Sequence, residues 1–185
     1  KEADPRGPGG AAAKKGLGLD VRLDSFIIEN GTLVYRDLKG GVMERIHGIN
    51  ARIAASSMVG PFELTGQSQV RGVPLEYDIS VGQIIEGRTV PFSVNLGFEP
   101  ASTKVQVAGA LLGLGSSPKF KGKMRGEGKS LAELIQAVAG PGPLPGLLGQ
   151  GFELSGGVVA TTTEMEIKDL AASLGSAQAK GALSA

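Results

Sequence analysis

The stretch GPFELTGQSQVRGVPLEYDISVG, residues 60–82, decides the fold class. Phe62, Leu64, Gly66, Ser68 and Val70 form one row of alternate residues. Val73, Leu75, Tyr77, Ile79 and Val81 form a second, set against Glu76, Asp78 and Ser80. Side chains of an extended chain point alternately to two faces, so a period of two marks strands with one apolar and one polar side. Such strands belong to antiparallel sheets wetted on one face, not to doubly wound parallel sheets. Arg71-Gly72-Val73-Pro74 reads as the reversal between them. The pattern continues outward. Val90, Phe92, Val94 and Leu96 alternate with Thr89, Pro91, Ser93 and Asn95, and Val105 and Val107 oppose Lys104 and Gln106. Upstream, Glu29-Asn30-Gly31-Thr32 lies between two apolar runs and predicts an Asn-Gly hairpin turn. Lys39-Gly40-Gly41 predicts the next reversal, and Val59-Gly60-Pro61 separates the run at 49–55 from that at 62–70. The whole reads as about ten strands joined mostly by short turns.

One helix interrupts the strands. Ser130 and Glu133 have the N-cap and N3 spacing of a capping box. Leu131, Leu134, Ile135 and Val138 recur at i, i+3, i+4 and i+7, one apolar stripe over 130–139, and Gly140-Pro141 ends it. The stretch PGPLPGLLGQG at 141–151 reads as a loop with apolar side chains, placed to cover a sheet end or a partner. Residues 1–18, rich in Gly, Ala, Pro and Lys without periodicity, read as a flexible linker. Residues 19–185 then form a single domain. The fold expected is mainly β: a long, curved antiparallel meander, groove- or taco-like, with one short amphipathic helix.

A fragment repeats within the strands. Phe62-Glu63-Leu64-Thr65-Gly66 matches Phe152-Glu153-Leu154-Ser155-Gly156. Looser copies end at Gly109, Gly122 and Gly181. Mid-strand glycine weakens a strand, so its repeated use implies either a bend that curves the sheet or relief of crowding where the sheet twists.

Composition removes much chemistry. The 185 residues include 30 Gly and 10 Pro, no Cys, no Trp and one His. Absent cysteine excludes disulfides, cysteine-held metals and thiol nucleophiles, and a lone His47 excludes any two-imidazole site. With 19 Lys and Arg against 18 Asp and Glu, the net charge of +1 does not suit a general nucleic-acid binder. The chain does not begin with Met, and no run of about 18 apolar residues and no signal peptide is present, so it reads as a segment of a longer protein. Gly126-Glu127-Gly128-Lys129-Ser130 before a helix suggests a phosphate loop, but the spacing to an upstream Gly is wrong by one residue. It reads better as a strand exit and helix cap. Lys119, Lys121, Lys123 and Arg125 share one face of a strand, opposite Phe120, Gly122 and Met124. They fit either contacts to anionic headgroups or a solvated face that guards a sheet edge. Carboxylates such as Asp20, Asp24, Glu29, Asp37, Glu76, Asp78, Glu164, Glu166 and Asp169 are scattered on polar faces, with none singled out for catalysis, and no Ser occupies a Gly-x-Ser-x-Gly elbow.

The order of the motifs is more specific than any one of them. IENGTLVYRD at 28–37 is followed by IHGINARI at 46–53, then by the 60–82 stretch. Later come VQVAGALLG, a Gly-rich strand, the Ser-Leu-Ala-Glu-Leu helix and FELSGGVVATTTEMEIKDLAASLGSAQAKGALS. This succession resembles the AsmA family of bacterial envelope proteins, over about residues 19–185. In that family an ENGTL-x-Y-x-D hairpin precedes a short apolar strand and a Gly-Pro-led strand pair. The resemblance implies a periplasmic segment of a protein anchored to the inner membrane by an N-terminal helix that lies outside this chain. It implies a role in outer-membrane biogenesis, conducting phospholipid along an apolar β-groove as in related bridge-like lipid-transfer proteins. The family has no established catalytic residues, so it supplies none here, and neither cofactor nor metal is expected.

The residues support the groove independently of the family. Leu64, Val70, Leu75, Tyr77, Ile79, Val81, Phe92, Val94, Leu96, Val105 and Val107 all belong to apolar rows and are the candidate lining for acyl chains. Each methylene removed from water contributes about 0.8 kcal/mol, so a chain can be held without specific contacts. The helix residues Leu131, Leu134, Ile135 and Val138 are placed to close one end. The expected partner is a phospholipid or other envelope lipid, with envelope proteins as further partners and no nucleic acid. The alternative is a non-catalytic scaffold that docks an envelope protein without lipid, its apolar face packed as an ordinary core. A carbohydrate-active enzyme is a third reading, opposed by only 2 Tyr and 6 Phe for sugar stacking.

Overall fold

The computed structural model describes residues 23–37, 42–99, 102–114 and 117–184. The expected linker at 1–18 and the start of the first strand lie outside these residues. Ten strands form one antiparallel sheet in sequence order: β1 Leu23–Asp37, β2 Val42–Ala55, β3 Phe62–Val70, β4 Val73–Val81, β5 Val90–Phe98, β6 Thr103–Leu112, β7 Lys119–Gly128, β8 Phe152–Ala160, β9 Met165–Leu174 and β10 Ala177–Ser184. One helix, α1 Leu131–Ala139, and a 3-10 turn, Gly146–Gly149, connect β7 to β8. The sheet is open, because β1 and β10 each have a single neighbouring strand among the described residues. The mainly-β meander read from the alternation is the architecture observed.

Register converts the alternation into two continuous faces. One row runs unbroken through all ten strands: Ile28, Ala51, Gly66, Tyr77, Leu96, Val105, Gly126, Leu154, Ala172 and Ala179. A parallel row carries Phe26, Ile53, Leu64, Ile79, Val94, Val107 and Met124. On the reverse side the corresponding row reads Arg52, Thr65, Asp78, Asn95, Gln106, Arg125 and Ser155. Cross-strand neighbours on one face are the unit of sheet stabilisation, and here they segregate by polarity from β2 to β8.

The turn chemistry is local and mostly as read. Arg71 and Gly72 have φ of 52° and 79°, the paired positive values of the two-residue turn that suits a twisted hairpin. The reversal expected at Lys39-Gly40-Gly41 falls outside the described residues, between the paired Asp37 and Val42. The Asn-Gly hairpin expected at 29–32 is not formed. β1 runs straight through it, and Asn30, with φ 49°, is instead the extra residue of a bulge. Its backbone N–H donates to Asn50 Oδ1 at 2.9 Å, a partner 20 residues away. β2 carries its own extra residue beside Gly48, φ 57°, and so returns the register.

The repeated glycines lie on the apolar face, and two of the sites explain them. A Cβ on Gly109 would lie 2.5 Å from Gly122 Cα and against the carbonyl oxygen of Lys121. A Cβ on Gly66 would lie 2.8 Å from Ala51 Cα and against Asn50 O. At these positions a neighbouring backbone occupies the space a side chain would need. Large side chains fill the space above: Phe92 and Phe120 meet over Gly109 and Gly122 with ring centroids 4.8 Å apart. The copy at Gly181 differs, since nothing lies within 4 Å of its Cβ position.

Gly109→Ala or Gly122→Ala is therefore expected to destabilise the sheet by about 1–3 kcal/mol through overpacking against backbone. Gly181→Ala is expected to be close to neutral. Denaturant melts of the three variants check the contrast.

Candidate functional site

Among the described residues only Ala51, Ala55, Val90, Phe152 and Val158 are buried hydrophobics. A chain of this length ordinarily hides a second layer of side chains behind its sheet. Here the eleven candidate lining residues, Leu64 through Val107, all lie on the apolar face and all are half-buried. Register brings nine of them together in rows: Leu64, Ile79, Val94 and Val107 side by side, then Tyr77, Leu96 and Val105, then Val81 with Phe92; Val70 pairs with Val73, and Leu75 lies between Ser68 and Phe98. Tyr77 is tilted over Gly66, and burial holds its phenol above the ordinary tyrosine range.

Helix α1 crosses one end of the sheet and does not run along this face. Ser130 caps it, its hydroxyl accepting from the Glu133 N–H at 3.2 Å, and Leu131 N–H donates to Gln150 O. The helix ends at Gly140, φ 92°, whose N–H donates to Gln136 O at 2.9 Å. A Cβ there would lie 3.6 Å from Arg71 Nη1 in the β3–β4 turn. Nine residues span about 13 Å, so the helix crosses the sheet end from the β7–β8 side to that turn. Arg71 also holds Glu44 of β2 through two short bonds, 2.6 and 2.8 Å, which keep the Glu44 carboxyl below its usual range. The stripe residues Leu131, Leu134 and Ile135 are half-buried, and α1 packs chiefly on the 3-10 turn. The side chain of Val138 lies outside the described ones.

Thr103 is buried at this end, 1% exposed, and its hydroxyl has no hydrogen-bond partner among the described residues. The opposite end carries exposed Met58, Val59 and Ile84, joined by the Ile84 N–H donating to Val59 O at 2.7 Å.

Lys119, Lys121, Lys123 and Arg125 are exposed on the polar face, so they and the lining residues do not form one site. The edge-guard reading fails for a simple reason: β7 is flanked by β6 and β8 and is not an edge. The Gly126-to-Ser130 segment is the end of β7 and the helix cap, as its spacing implied. His47 is an exposed β2 residue beside the Gly48 bulge.

The polar face holds a shallow hollow of about 540 Å³ over Gly97, lined among others by Gln67, Glu76, Asp78, Asn95, Lys104 and Gln106. Glu76 and Asp78 project there side by side, both exposed, with nothing above them to exclude water. No group of three or more metal-ligating side chains occurs among the described residues, and no described helix is long and apolar enough to cross a membrane.

Sequence reasoning missed the extension of the face onto the outer strands. Phe26, Ile28, Leu33, Ile46, Ile49 and Ile53 continue it, but bulges break their period of two. Phe120, Met124, Leu154 and Val158 continue it on the other side, interleaved with glycine that dilutes the apolar signal. Comparison with protein-family models, curated proteins and solved structures found no match.

Two measurements check the burial of Thr103 and of Tyr77. Thr103→Val removes an orphaned buried hydroxyl at constant shape and is expected to raise stability by about 1 kcal/mol in denaturant melts. In a Tyr35→Phe background, absorbance titration of Tyr77 is expected to run above the ordinary value near 10. The neutral phenol is the form the fold favours, so that contribution to stability is present below the unfolded-state pKa and is lost as pH rises through the higher folded value.

Proposed function

We propose that the apolar face of this sheet holds the acyl chains of phospholipid, without catalysis. The observation that supports the reading is an apolar face continuous over ten strands, which the one helix among the described residues crosses at an end and does not run along. A single layer with such a face leaves more apolar surface in water than soluble proteins usually tolerate, and exposed apolar surface of this extent marks a binding surface. Fluid alkyl chains suit it better than a rigid ligand. The lining is mostly aliphatic, with Tyr77 and Phe92 its aromatic members, and half-exposed, and it lacks a ring of polar groups to orient a headgroup. The helix bounds one end, and the Met58, Val59 and Ile84 tip at the other is the side from which a chain enters.

The resemblance to the AsmA family supports reading this activity as one of the bacterial envelope. On that reading the chain is a periplasmic part of an inner-membrane-anchored protein serving outer-membrane biogenesis. It moves lipid along the groove and needs no cofactor.

The test uses neighbouring positions on opposite faces. Val94→Asp puts a charge on the apolar face, and Asn95→Asp puts the same charge on the polar face one residue away. Mass spectrometry of protein purified without detergent is expected to find phospholipid bound to the parent chain and to the Asn95→Asp variant. Val94→Asp is expected to carry about tenfold less, since loss of one buried valine contact is worth about 1.5–3 kcal/mol. Absence of lipid from the parent chain, or equal loading of both variants, sinks the proposal.

A further inference from the structure

β1 is an edge strand whose composition does not suit an edge. Phe26, Leu33 and Tyr35 project to the apolar face at 51%, 54% and 59% exposure. Ile27 and Val34 project to the opposite face, beside Arg52 and Arg45, at 61% and 45%. Lipid on the apolar face would leave Ile27 and Val34 in water. Only another strand beyond the edge shields both faces at once, while pairing the outward backbone groups of β1, which have no strand partner among the described residues. Between Phe26 and Tyr35 there is no Lys or Pro to discourage such pairing. The other edge contrasts with it: β10 carries Lys180, and Leu183 is its one large exposed apolar side chain.

We infer that β1 pairs antiparallel with β1 of a second copy of this chain, about a two-fold axis between Asn30 and Gly31. The sequence is self-complementary in that register. Phe26 faces the second copy's Tyr35 and Ile28 its Leu33 on the apolar side, and Ile27 faces its Val34 on the polar side. Because each strand carries its extra residue at Asn30, the two bulges sit symmetrically at the axis and the pairing stays in step on both flanks. A shift by two residues would set Val34 against Ser25 and Ile27 against Thr32, and would lose the match on the polar side. A surface that is its own complement is what an isologous two-fold contact requires. The result joins two apolar faces into one twenty-strand surface, counted from the ten strands of each copy.

Sedimentation of the parent chain at high concentration is expected to give a dimer. The chain has no cysteine, so introduced thiols report the register cleanly. An Ile27→Cys chain mixed with a Val34→Cys chain is expected to form an intermolecular disulfide, and neither alone does so at comparable rate. Val34→Lys, and Ile27→Thr, which keeps strand propensity, are expected to raise the dimer dissociation constant about tenfold or more. Both lie on the polar face, so lipid loading stays at the parent level and the two proposals are tested separately. A monomeric parent chain overturns the inference, as does a dimer unaffected by Ile27→Thr with its circular dichroism unchanged. Cross-linking confined to single-thiol chains overturns the register and with it the inference.

Discussion

A single antiparallel sheet cannot bury its own apolar face. Two-layer folds resolve this by placing a second sheet or helices against the first. Here one nine-residue helix serves ten strands, and it crosses an end. Most features of the molecule follow from the remaining mismatch. Rows of side chains on the apolar side partly cover one another, and their close approach requires positions where a neighbouring backbone takes the place of a Cβ. Gly66 against Ala51 and Gly109 against Gly122 are those positions. Aromatic rings then occupy the volume the glycines vacate, as Phe92 and Phe120 do.

The two faces carry unequal demands on sequence. On the polar face Thr65, Asp78, Asn95 and Gln106 form a solvated row, and the opposite charges nearby are exposed pairs such as Arg125 with Glu127 at 3.3 Å. Such pairs contribute little to stability and are screened by salt. The Arg71–Glu44 pair is also surface-lying, but it is bidentate and ties the β3–β4 turn to β2 where the helix ends. Its role is positional: it fixes the corner that α1 reaches.

How much of this is legible in the sequence depends on whether a decision is local. Strands β3 to β6 pair without a register shift, so parity alone assigns every side chain to a face. The helix is legible because Ser130, Glu133 and Gly140 act within a few residues of one another. The Asn30-Gly31 dipeptide misleads because a bulge and a hairpin turn both ask for a residue that tolerates positive φ. What separates them is the carboxamide of Asn50, 20 residues away. The lysine row on β7 misleads in the same way, since edge or interior is a property of the whole strand order and not of Lys119 to Arg125. Whether the apolar face is covered is the least local question, set by where α1 lies after the chain has folded.

The strictly sequential strand order has a consequence for how such a molecule grows. Every strand bonds only to the strands before and after it in the chain. Nine strand spacings of about 4.8 Å make a surface some 43 Å wide, and each further hairpin would add about 10 Å without rethreading a connection. In this respect the sheet behaves as a one-dimensional array, in which stability is a sum of nearest-neighbour terms. Width is then a free variable of the architecture. It can be matched to a distance that must be spanned by duplicating a strand pair, while the chemistry of each row stays the same.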